Sequence, residues 1–179
     1  MAMTFKNPVA HGMKYSAQNI DSHVRSAVAE VDVTNGMLVT LDGFADMPGY
    51  VFKATPTTAD TAVDVWMVRE PEVPKNVREN MFVDPRAFSV EKGKVFDVIK
   101  LEAGDVIKMS KGCFSTVPVA TTTTWAYPAA NGQTAANASA SGKKGLVMKL
   151  LRKEKYSIGQ EFEDAYIMEV IQNPTKALA

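Results

Sequence analysis

Apolar and polar residues alternate in short runs along most of the chain, the period of half-buried strands. In residues 24–33, Ala29, Val31 and Val33 share one face. Thr34-Asn35-Gly36 follows, and Met37, Val39 and Leu41 then alternate with Leu38 and Thr40. Asn-Gly between two such runs predicts a hairpin, because both residues tolerate positive φ in a type I′ turn. Asp42-Gly43 predicts a second turn, and residues 50–54 a short strand after Pro48-Gly49. Val63, Val65 and Met67 face one way on the next strand, Asp64 and Trp66 the other.

Pro71 and Pro74 break the pattern, since proline cannot donate to a ladder. Residues 75–94 read as a long loop anchored by Phe82, Phe88 and Val90. Residues 95–101 are the most apolar strand and predict burial on both faces. Glu102-Ala103-Gly104-Asp105 turns the chain into a strand at 106–109, and 114–119 is a further candidate. Residues 146–151 and 165–171 admit short helices by apolar count, with strands preferred; Tyr156-Ser157-Ile158-Gly159 reads as the turn between them.

Three segments fall outside this rhythm. Residues 1–23 are polar and without period, which predicts either an extended arm or ordinary terminal fraying. Residues 120–144, rich in Ala, Thr, Asn and Ser, predict an exposed low-complexity loop, with Trp125 and Tyr127 as its anchors. Residues 173–179 read as a tail. The body, 24–172, then holds seven to nine short strands separated by frequent turns. That pattern predicts a mainly β fold, a small barrel or sandwich with long loops.

Composition strengthens this reading. The chain of 179 residues has 21 Val against 7 Leu, and valine packs well on a pleated surface while losing rotamer freedom in a helix. Formal net charge is zero, which argues against direct nucleic-acid binding or membrane binding through bulk charge. No apolar run is long enough to span a bilayer as a helix. One Cys excludes a disulfide framework, and two His leave little for a metal centre.

Candidate chemistry is sparse, and no cofactor is expected. His11 and His23 lie in the arm, a poor place for a general base. Ser89/Lys92 and Ser141/Lys144 fit S-x-x-K, but neither sits at a predicted helix start. Cys113 follows Lys108 and Lys111, whose charge could activate a thiol, yet a bland cysteine beside a strand explains it as well. Asp42, Asp46, Asp60, Asp64, Asp97 and Asp105 lie at or near turns, where their default is turn chemistry. The basic run Arg152-Lys153-Glu154-Lys155 reads as a solvated face or a patch for an acidic protein partner. No enzyme is expected.

The stretch Ala29-Glu30-Val31-Asp32-Val33-Thr34-Asn35-Gly36-Met37-Leu38-Val39-Thr40-Leu41-Asp42-Gly43, with Leu101-Glu102-Ala103-Gly104-Asp105-Val106-Ile107-Lys108-Met109-Ser110, resembles head decoration (cement) proteins of tailed bacteriophages. The resemblance implies a β-tulip-like fold, no catalytic residues, and a place on the virion surface. It implies binding to the major capsid protein and self-association as a trimer or dimer. Phe5, Met13 and Tyr15 on the arm, with Trp125 and Tyr127, are then the expected partner-binding anchors. A tail-tube or head-completion protein, a carbohydrate-binding β module using Trp66, Trp125 or Tyr127, and an enzyme using Cys113 or Ser89 are the alternatives.

Overall fold

A computed structural model describes residues 10–14, 23–69, 89–119, 124–158 and 161–175. The fold is mainly β. Its strands are β1 (Ala10–Lys14), β2 (Val24–Ala29), β3 (Leu38–Phe44), β4 (Val51–Pro56), β5 (Val65–Val68) and β6 (Val95–Lys100). They continue as β7 (Val106–Ser110), β8 (Phe114–Thr116), β9 (Trp125–Pro128), β10 (Thr134–Asn137), β11 (Val147–Ile158) and β12 (Glu161–Gln172). Strands β2-β4-β3-β5-β6 close into a barrel, and β1-β7-β12-β11-β9-β10-β8 form a seven-stranded sheet.

The period of two explains how barrel and sheet stack. On β5, Trp66 and Val68 point into the barrel, while Val65 and Met67 point out towards the sheet. On β6, Phe96 and Val98 go in, and Ile99 goes out. Pairing aligns the outward residues Leu38, Met67, Ile99 and Val24 in one row across β3, β5, β6 and β2. That row meets Ile107, Met109, Met148, Tyr166 and Met168 from the sheet. Strands β3, β5 and β6, joined by β2 at Val24, therefore serve as the wall of two cores. A five-stranded barrel is narrow, and its interior is packed by Trp66 with Phe96, Met37 and valines, the alanines Ala27, Ala29 and Ala54 making room for the rings.

Several expectations are corrected by the register. Asn35-Gly36 does not close a β2–β3 hairpin: β2 pairs in parallel with β4, which lies between them. Only Gly36 takes positive φ, at 76°, and Met37 N–H donates to Thr34 O. That is the form of a type II turn, which sends the chain across the barrel end instead of back along β2. Asp42-Gly43 is not a turn but lies inside β3, where the register shifts by one residue between Asp42 and Phe44. Glycine there lets the strand bulge and bend.

Within the segment 120–144, residues 124–137 are not an exposed loop, while 138–144 are turns and mostly exposed. Trp125–Pro128 and Thr134–Asn137 are paired strands, and Ala126 and Thr134 are fully buried. Its small residues serve close approach rather than disorder. Gly132, at φ 69°, brings its Cα so near the barrel that a Cβ would lie 2.8 Å from Leu38 O. Its N–H donates to Thr57 O, and Thr57 Oγ1 donates to Ala129 O.

Both ends join the body. The arm contributes an edge strand, since β1 pairs antiparallel with β7. The tail begins as a clamp: the Asn173 amide accepts from Val65 N–H and donates to Val65 O and Leu101 O. The turn expected at 156–159 begins three residues too early, because β11 runs on to Ile158. Within the loop expected at 75–94, residues 75–88 lie outside the described residues, and Val90 bridges Val33.

Candidate functional site

One mouth of the barrel is built from the starts of β2, β4 and β5 and the ends of β3 and β6. The β3 bulge carries Phe44 onto its lip, and β4 brings Phe52 beside it, with ring centroids 4.8 Å apart. Tyr50 stands edge-on to Phe44 at 6.1 Å. Phe44 is 58% exposed and Tyr50 86%. Arg25, an exposed residue, lays its guanidinium 4.6 Å over the Phe52 ring and 4.8 Å over Trp66. Among the described residues Arg25 pairs with no carboxylate. Lys100 approaches the same indole at 6.0 Å and faces Asp64 at 3.6 Å. Arginine stacked on aromatics at an exposed rim is the composition of a protein–protein hot spot.

The second projecting feature is the β11–β12 hairpin. Its last contact with β9 is Lys149 and with β7 is Ala165. Beyond these, 152–158 and 161–164 pair only with each other among the described residues, and reach about 15 Å past the sheet at the rise of a strand. Cross-strand charges hold this ribbon: Lys153 and Lys155 each lie 2.7 Å from Asp164. Lys108 reaches Glu154 at 3.0 Å, and Arg152 also pairs with Glu154. The basic run is thus matched by carboxylates within its own ribbon. Phe162, near the tip, is 72% exposed.

Hydrogen bonds from Lys153 and then Lys155 depress the Asp164 carboxyl from 3.8 to about 2. A depressed carboxyl stabilises the folded ribbon fully above its free value and loses that contribution as it protonates. Ribbon amides are therefore expected to lose exchange protection between about pH 4 and pH 2, ahead of the barrel, with Asp164→Asn already unprotected at neutral pH. Hydrogen exchange with intrinsic rates corrected for pH measures this; unchanged ribbon protection across the window would count against it.

The expected anchors are distributed differently. Tyr127 is 8% exposed; its hydroxyl accepts from Asn137 Nδ2 at 2.7 Å and its ring lies under Lys143. It is a packing residue, not a free anchor. Trp125 is half-buried, with Lys149 stacked at 5.9 Å from the facing strand. Met13 falls on β1, while Phe5 and Tyr15 lie outside the described residues. Trp66 is buried in the barrel, so it is no stacking platform. Cys113 is buried and Ser89 exposed. Of the aspartates expected at turns, Asp105 performs that chemistry, accepting from Glu102 N–H three residues back.

Other chemistry is limited. No group of three metal-ligating side chains occurs among the described residues, and none of their helices is long and apolar enough to cross a membrane. A groove of about 560 Å³ on the outer face of the β2–β4 pair is lined by Val28, Val31, Met47 and Pro56, with Glu30 and Lys53 among its charges. The aromatic mouth was missed in the sequence, although Phe44, Tyr50 and Phe52 flank Pro48-Gly49. Aromatics either side of such a turn signal an exposed tip. No protein-family model matches this chain, and no curated protein matches it.

Proposed function

We propose that this protein is a virion structural component that binds the outside of a phage capsid and stabilises it by bridging capsomers. The observation that supports it best is the surface: exposed aromatics and an arginine stacked on rings at the barrel mouth, and an exposed phenylalanine near the end of a projecting ribbon. Such features suit protein contacts repeated over a lattice, where many weak contacts add through avidity. The resemblance of the 29–43 and 101–110 segments to cement proteins supplies the choice of shell. A second reading, a ring-forming tail-tube or head-completion component, is favoured by the ribbon.

The test is co-sedimentation of the purified full chain with shells assembled from major capsid protein alone. Saturable binding and a higher shell-rupture temperature are expected. Absence of both overturns the capsid reading.

A further inference from the structure

We propose that the barrel mouth is the docking face, and that it takes a segment of a partner protein carrying a carboxylate side chain close to an apolar one. Arg25 receives the carboxylate, and Phe44 and Tyr50 receive the apolar neighbour. The inference rests on the reading above in taking a protein as the partner, and it adds which surface docks and what that surface recognises.

Three observations converge. The first is where the cation points. Arg25 shares a strand face with Ala27 and Ala29, which pack inside the barrel, so its guanidinium turns over the opening. It lies 4.6 Å over the Phe52 ring and 4.8 Å over Trp66. The two rings fix the guanidinium in place, and its N–H groups find no acceptor among the described residues. A planar fork held in this way is matched by a carboxylate, which takes two parallel hydrogen bonds from it.

The second is charge balance. Asp64 is matched by Lys100 at 3.6 Å, and Glu102 by His23 at 2.8 Å. Asp42 stands opposite Lys53 on the outer wall, and Asp46 lines the outer groove. No carboxylate remains for Arg25 among the described residues. A single surplus cation suits one acidic side chain. It is too little for a nucleic acid, which is held through several phosphates at once.

The third is the lip. Phe44 is 58% exposed and Tyr50 86%. Phe52 touches both the guanidinium and the Phe44 ring, so the charge and the aromatic ledge adjoin. Aromatic side chains packed round an arginine concentrate binding energy. Two residues of an extended chain span about 7 Å, so the acid and the apolar residue recognised together stand one or two positions apart.

The test is panning of a random peptide display library on the immobilised full chain, then anisotropy titration of the selected sequences as synthetic peptides. Selected peptides are expected to carry Asp or Glu within two residues of an apolar side chain. Arg25→Glu and Tyr50→Ser are each expected to weaken their binding about tenfold or more with an unchanged melting temperature. Tyr50 is the more exposed of the two lip aromatics, so its variant decides the matter where Arg25→Glu lowers the melting temperature. Arg25→Lys keeps the charge without the fork and is expected to fall between. Phe162→Ser, on the ribbon, is expected to bind as the wild type does.

Selection of no sequence, or of sequences without an acid, overturns the proposal, as do acidic peptides that bind Arg25→Glu undiminished. A single-stranded oligonucleotide that binds the wild type more tightly than any selected peptide overturns it too. Shell binding is read separately. Shells that bind the wild type and Arg25→Glu alike sink this inference alone, and a chain that selects acidic peptides yet ignores shells sinks only the capsid reading.

Discussion

Trp66→Ala is expected to destabilise the fold by about 3–5 kcal/mol and to lower the melting temperature by about 10 °C. The indole is 1% exposed and is the largest side chain in the barrel. Of the residues in the same cluster, Ala27, Ala29 and Ala54 are too small to reach into the space it leaves. Arg25 and Lys100 also lose the ring beneath them. Trp66→Phe separates volume from polarity. The Trp66 Nε1–H has no hydrogen-bond partner among the described residues, so its removal relieves a buried donor while most of the packing stays. That variant is expected to cost about 1 kcal/mol. Thermal and denaturant unfolding of both variants measures this, and equal losses would show that the barrel is not held by ring volume.

Gly132→Ala is expected to cost about 2–4 kcal/mol, from a left-handed backbone at φ 69° and from overlap with a packed surface. The new methyl would sit 2.5 Å from Met37 Cγ and 2.8 Å from Leu38 O. The methionine can turn aside, but the backbone oxygen belongs to β3, which is paired on both sides. Relief requires the β9–β10 connection to lift, which breaks the bond from Gly132 N–H to Thr57 O. Gly142→Ala is the control. Its φ is 76°, yet nothing lies within 4 Å of its Cβ position, so it reports the backbone cost alone. A Gly132 variant no worse than the Gly142 variant would remove the close-approach argument.

The β class was legible because valine alternation reports pleated, half-buried surface directly. Strands β3, β5, β6 and β7 were all found near their places for that reason. Pairing order was not legible. Thr34-Asn35-Gly36 reads as a hairpin by local chemistry, whereas the partner of β2 is chosen by closure of the barrel, a non-local constraint. The stretch 124–137 failed for a different reason. Alanine, threonine and glycine carry little hydrophobic signal, but they permit the close approach seen at Gly132, where depth of contact replaces area per residue.

The mouth was illegible as a site because its members come from five strands. Arg25 stands apart from aromatics in sequence and meets Phe52 only through the parallel β2–β4 pairing. The ribbon was underestimated because residues 152–155 look like a charge cluster. In register they are rungs: Lys153 faces Tyr166 and Lys155 faces Asp164 across the hairpin.

The double duty of β3, β5 and β6 leaves the chain without a seam. A break that freed the barrel would strip the seven-stranded sheet of its floor, and a break that freed the sheet would bare the row Leu38, Met67 and Ile99 to water. The two halves therefore melt as one cooperative unit.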